Sequence, residues 1–270
     1  MLIRFSCLFL GFVFTKLMVP MFMNLLYETE CIKNNYRGEN IPVGMGLVFI
    51  PGITSLVIFL LLCLNKSDFV YVVLFLVGTL GMGLAGLLDD LLGNRNVTGL
   101  KGHFKKLLKF ELTTGGFKAA FGGLLSVAIS VIISHNIVDI FMNTLIIALF
   151  TNFINLLDLR PGRALKGFLV TAIILILSPI YKEFRFLMMG LIGCVLAYIP
   201  YDLKAKSMMG DVGSNILGIS LGIVCSSLDF STRMIALSFL ILLHLYTEKY
   251  SLTKTIEKVK ILKYFDEIGR

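Results

Sequence analysis

Charged side chains are scarce in this chain: 16% of its 270 residues are Asp, Glu, Lys or Arg, where soluble domains carry about 25%. Hydrophobic residues make up 57%, and the mean hydropathy is +0.87. That balance excludes a water-soluble domain and indicates an integral membrane protein. Paired cysteines are lacking as well. Cys7, Cys31, Cys63, Cys194 and Cys225 stand singly, without the spacing of a zinc site or a redox motif, so no disulfide and no metal is assigned to them. The residue-by-residue alternation of a transmembrane β-barrel is absent. No low-complexity segment, internal repeat or soluble insertion interrupts the apolar runs. The first run, residues 2–26, has no small-residue cleavage site, exceeds a signal-peptide core and carries Lys16, so it is expected to stay as a helix.

What is present is a series of apolar stretches with short polar breaks. They predict an all-α polytopic protein with nine membrane helices, near 2–26, 42–64, 69–90, 117–134, 137–157, 165–180, 185–201, 213–228 and 232–247. Residues 1–247 form one transmembrane domain in this reading, and 248–270 a cytoplasmic amphipathic tail. With the amino terminus outside, nearly all basic residues fall in or beside the inner segments, and the outer breaks hold only Lys66, Lys182, Arg185 and Arg233, with Arg4 at the start. The positive-inside bias therefore puts the amino terminus out and the carboxyl terminus in. The same bias accounts for the formal net charge of +8 without nucleic acid as a partner. Residues 100–112 and 252–265 carry interleaved apolar and lysine residues and are expected to lie as amphipathic helices on the inner leaflet.

The topology, drawn from hydropathy and basic residues alone, puts five acids at one mouth: Asp89 and Asp90 after the third helix, Asp158 after the fifth, Asp202 after the seventh and Asp211 before the eighth. Acids at helix ends can be ordinary solvated residues, but five at one face indicate a site. An adjacent pair at the end of a run that is uncharged from Val70 to Leu88 also needs a purpose, because a charge within a membrane helix costs about 2.5 to 3.5 kcal/mol. In "MMGDVGSN" (208–215) a carboxylate stands between two glycines just before a helix, where backbone amides and Ser214 could meet a phosphate. "TNFINLLDLRPGRALK" (151–166) spaces Asn152, Asn155 and Asp158 by three and follows them with Arg160, Arg163 and Lys166. Amides in an apolar helix call for a polar cleft. Carboxylates beside several cations describe a magnesium and diphosphate site, since hard oxygen ligands suit magnesium and Arg and Lys suit phosphate.

"GLLDDLLG", "TNFINLLD" and "MGDVGSN", in that order, resemble the motifs of the polyprenyl-phosphate N-acetylhexosamine-1-phosphate transferases, glycosyltransferase family 4. "GLKGHFKK" and "IPVGMGL" (41–47) add weaker matches, so the resemblance runs from about residue 40 to 220. It implies a bacterial cytoplasmic-membrane enzyme that transfers sugar 1-phosphate from a nucleotide-diphosphate sugar to undecaprenyl phosphate for envelope polymer synthesis, with release of the nucleoside monophosphate. The expected cofactor is magnesium, with manganese as the alternative ion; the expected partners are the lipid phosphate, the sugar nucleotide and, in some arrangements, a second copy. Carried over by residue, Asp211 resembles the metal ligand, and Asp89 and Asp90 the catalytic pair. Lys105, Asn152, Asn155, Asp158, Arg160, Arg163, Lys206 and Gly210 resemble substrate-binding positions.

The chain also departs from the family. Pro161 stands where a second Asp is common, Tyr201 and Met208 replace an Asn and an aromatic near the base, and the histidine-rich motif shrinks to His244, with no tenth helix following. A lone His244 near a helix end reads as structural. These changes fall on donor recognition and imply a donor smaller than the muramoyl pentapeptide nucleotide, with UDP-N-acetylhexosamine expected. Intramembrane prenyltransferases would need another aspartate at the position of Gly93, and CDP-alcohol phosphotransferases several spaced Asp and Gly in one helix pair. A transporter would carry its polar residues near the midplane. The alternative from a different class is a non-catalytic relative that binds polyprenyl phosphate as a pathway scaffold.

Overall fold

A computed structural model describes residues 2–93 and 113–270. Among these, nine helices of 15 residues or more fall on the nine expected segments: α1 Leu2–Glu28, α2 Phe49–Cys63, α3 Phe69–Leu92, α4 Thr114–Ile133, α5 Ile137–Leu157, α6 Arg163–Leu177, α7 Lys182–Leu203, α8 Gly210–Cys225 and α9 Phe230–Lys249. Seven of them, with short 3₁₀ turns leading into α2 and α3, are long and apolar enough to cross a membrane. α6 and α8 are shorter, at 15 and 16 residues. The protein is an all-α polytopic membrane protein, as its composition requires.

α8 is the axis of the bundle. From Val212 to Cys225 every residue is buried, and α3 and α5 pack along it. Gly218 and Gly222 sit one turn apart on the face toward α5, against the backbones of Thr151 and Ile147. Close backbone approach through small residues is the main source of helix affinity in lipid, where lipid tails are as apolar as Leu. α1 lies against α7 at one side, and α4 and α9 flank α5.

A small antiparallel hairpin, β1 Ile32–Asn34 and β2 Asn40–Pro42, follows α1. Met208 donates its amide to the Pro42 carbonyl at 2.8 Å, and the amides of Met45 and Gly46 bond the carbonyls of Met208 and Met209, so the hairpin is tied to the segment that leads into α8. The tail forms two short helices, α10 Leu252–Lys258 and α11 Lys260–Glu267, which meet at Val259. The single amphipathic helix expected over 252–265 is therefore broken in two. The other amphipathic stretch, 100–112, lies outside the described residues.

Candidate active site

The carboxyl end of α3 and the amino end of α8 touch backbone to backbone. A side chain at Gly86 would overlap the backbone of Asp211 and Val212, and one at Gly46 would overlap Gly213. Gly86 is thus the contact that brings Asp89 and Asp90 to Asp211, while Gly46 and Gly213 seat the turn leading into α2 on the same helix start.

Asp90 crosses to the start of α8. Its two carboxylate oxygens accept the amides of Asp211 and Val212, each at 3.1 Å. Gly210, at φ +74, makes this possible, because its left-handed backbone opens the helix end and a Cβ there would strike the Asp90 carboxylate. This corrects one expectation. The free amides of the "GDVG" turn, expected to face a phosphate, are capped by Asp90 instead, and an acid at a helix start also complements the helix dipole.

Asp89 and Asp211 share a cation that sequence reading missed. Lys118, on α4, lies 3.0 Å from Asp89 and pairs with Asp211 as well. It had a signal: a lysine one turn inside an otherwise apolar helix, as costly as the aspartates that did attract notice. Lys33 of the hairpin, also missed, donates to the Asp90 backbone carbonyl at 3.3 Å.

A cavity of about 400 Å³ opens beside this cluster. Asp90, Asp158, Asp202, Asp211 and Gly210 line it, with Arg160 and Pro161 on one wall and Lys33, Asn35 and Tyr36 of the hairpin on another. All five acids therefore meet at one end of the bundle. Asp158 is held well above the ordinary carboxylate range, first by burial and then by the charges of Asp202, Asp211 and Asp90. Asp202 has a structural task, accepting the Gly162 amide at 2.6 Å and standing near the Tyr198 hydroxyl. Among the described residues no three His, Cys, Asp or Glu side chains form a ready-made metal cage.

The remaining expected site residues divide. Asn155 accepts from the Ser214 hydroxyl at 3.3 Å, which links α5 to the start of α8. Asn152 and Lys206 are exposed and outside the cavity lining. Arg163 is a correction: it is 5% exposed, bound to Asp266 through two nitrogens and to Thr253 through a third, and it faces the tail instead of the cavity. Arg160 lines the cavity and also pairs with Glu257. His244 contacts the Leu240 carbonyl of its own helix and does not line the cavity. Of the altered positions, Pro161 and Met208 line the cavity, while Tyr201 lies under the ammonium of Lys16. Lys105 lies outside the described residues.

Residues 72–229 match glycosyl transferase family 4. Relatives along most of the chain include two proteins named phospho-N-acetylmuramoyl-pentapeptide-transferase. One, from Clostridium botulinum (strain Eklund 17B / Type B), is 27% identical over 79% of this chain and 70% of its own length. The other, from Staphylococcus haemolyticus (strain JCSC1435), is 26% identical over 92% of this chain and 84% of its own. A protein of that name from Prochlorococcus marinus (strain MIT 9215) is 28% identical over 75% of this chain and 60% of its own. The matched residues hold all five acids together with Gly86, which joins α3 to α8, and on that match the chain belongs to glycosyl transferase family 4.

Proposed function

We propose that the protein transfers sugar 1-phosphate from a nucleotide-diphosphate sugar to undecaprenyl phosphate at the cytoplasmic face of a bacterial inner membrane. The observation that carries this reading is the meeting of Asp89, Asp90 and Asp211 across the α3–α8 contact beside a polar cavity. Nine spans with the amino terminus outside and the tail inside accord with the basic loops. Residues 1–247 act as the membrane domain, 248–270 as the cytoplasmic tail, and assembly as a homodimer is compatible with the site.

The residues present fit magnesium. Asp89 and Asp211 already direct oxygen atoms at one cation, Lys118, and magnesium needs only one or two carboxylates when phosphates and water complete its shell. Asp211 would hold the ion, with Asp89 next to it, and the ion would supply charge neutralisation to the diphosphate; manganese has the same ligand chemistry. Asp89 takes the proton of the lipid phosphate as its oxygen approaches the sugar-bearing phosphorus. The new P–O bond forms as the bond to the nucleotide phosphate breaks, and the nucleoside monophosphate leaves with that electron pair. Asp90 keeps Asp211 in place through the amides of α8. Arg160 and Lys33 supply positive charge at the cavity wall, Gly210 and Asp158 shape its substrate side, Asn155 braces the start of α8, and Lys105, Lys206 and Asn152 are assigned as further substrate contacts. Positioning and charge neutralisation are what phosphoryl transfer asks of a protein.

The proposed donor is a UDP-N-acetylhexosamine, because Pro161 and Met208, two of the altered positions, line the cavity itself. Purified protein incubated with undecaprenyl phosphate, magnesium and a panel of nucleotide sugars should release nucleoside monophosphate with the small donor and form the matching lipid-linked sugar. Efficient turnover of the muramoyl pentapeptide donor would contradict the donor assignment, and no turnover with any donor would favour the scaffold alternative.

A further inference from the structure

The loop between α5 and α6, residues 158–162, forms one wall of the cavity, and it is held from two sides. On the inside Asp202 accepts the Gly162 amide at 2.6 Å. On the outside the tail fastens it. Arg270 donates to the Pro161 carbonyl at 2.8 Å and to Asp266 at 2.8 Å, and Asp266 binds Arg163 at 2.7 and 2.9 Å. Lys166 completes the joint by donating to the carbonyls of Phe265, Asp266 and Ile268 at 2.7 to 2.9 Å, a cation at the carbonyl end of α11, where the helix dipole favours it. None of Asp266, Arg270 or Arg163 lines the cavity. So dense a set of charge-assisted bonds, aimed at a loop that itself contacts the cavity, has a use beyond anchoring the tail.

We propose that the tail is a strap that fixes the Asp158–Pro161 wall and thereby sets the binding of the water-soluble reactant, with Asp266 and Arg270 as positioning residues. This rests on the transferase reading for the identity of that reactant, a sugar nucleotide. The wall it controls is made of loop and shares the cavity with the hairpin residues Lys33, Asn35 and Tyr36. Because the strap acts on loop and not on the ends of α3 and α8 that carry Asp89 and Asp211, it is assigned to the water-soluble reactant and not to the lipid phosphate.

The test uses the full chain in detergent, with hydrogen exchange across residues 158–166 and steady-state kinetics in which each substrate is varied in turn. The variants are Asp266→Asn, its conservative counterpart Asp266→Glu, and Arg270→Gln, a milder change should Asp266→Asn fold poorly. A charged hydrogen-bond partner lost here should speed exchange in 158–166 about tenfold in Asp266→Asn and leave α3 and α8 unchanged. The KM for the sugar nucleotide should rise about five- to tenfold with the KM for the lipid unaltered, and Asp266→Glu should restore most of both effects. Unchanged exchange in both Asp266→Asn and Arg270→Gln would overturn the strap whether or not the protein turned over any substrate. Faster exchange with equal changes in the two KM values, or with loss of kcat alone, would overturn its role in selecting the soluble reactant. If the wild type shows a protected loop yet no turnover, the transferase reading fails, and the exchange result still decides the strap.

Discussion

Asp90 and Asp89 are neighbours in the chain with different tasks, because successive residues on a helix are turned by about 100°. Asp90 binds backbone and Asp89 binds the shared cation. Replacing Asp90 by Ala removes a cap and should destabilise the protein by about 0.5–2 kcal/mol, read as a lower Tm in detergent. Asp89→Asn should leave Tm nearly unchanged while turnover is lost; equal Tm losses in the two variants would contradict this division. The adjacency was legible in the sequence, but the division of labour was not, since it depends on Gly210 turning the start of α8 toward α3. Lys118 was legible in principle by the same cost argument that singled out the aspartates. Arg163 was misread because its partner, Asp266, lies 103 residues away in a segment read only for its amphipathic pattern.

Among the elements, hydropathy located the nine long helices of the described residues, because an apolar run in lipid must satisfy its own backbone, and seven of the nine are long enough to cross a membrane. What hydropathy could not show is which ends meet. That information resides in Gly86, whose lack of a side chain lets α3 touch α8, and in Gly46 and Gly213, which seat the turn before α2 against the same helix start. Gly86→Val should therefore separate the aspartates: overpacking costs about 1–3 kcal/mol, and turnover should fall by far more than the loss of folded protein explains. Wild-type specific activity in this variant would sink the idea that the contact builds the site. The break at Val259 was hidden too, because one apolar period runs through 252–265, while Arg163 and Lys166 hold α11 through tertiary bonds that the period does not encode. Burial pushes the Asp266 carboxyl up, but the Arg163 hydrogen bonds and charge outweigh it and hold the group below its ordinary range. The stability this gives the tail is present above the usual carboxylate range and is lost as pH falls through the lowered value. Proteolysis of folded protein should accordingly reach the tail only at strongly acid pH, and release at pH 6 would contradict the pairing.

At the scale of the whole molecule, the cavity, the hairpin, the tail and the ends of α3, α5, α7 and α8 occupy one end of the bundle. The opposite end carries a separate polar pairing in which Arg233 binds Asp139 and Asn143. The two ends are built for different surroundings, and the basic residues concentrate at the first. A reporter fused after Arg270 should behave as cytoplasmic, and an external signal would move the whole site to the wrong side of the membrane for a nucleotide substrate. The convergence of the acids at one end was legible from charge and hydropathy alone, because topology fixes which helix ends are neighbours.

Asp211→Asn removes a charge from the aspartate cluster while preserving shape, and so isolates the metal-assisted phosphosugar transfer proposed for that cluster. Nucleoside monophosphate release by purified wild-type and variant protein, with saturating magnesium and both substrates, should be brisk for the wild type. The variant, folded and membrane-inserted to the same extent, should lose on the order of 10²-fold or more in kcat, as removal of one electrostatic contact to a reacting group does. Wild-type turnover in well-folded Asp211→Asn would show that the cluster is only the junction of two helices.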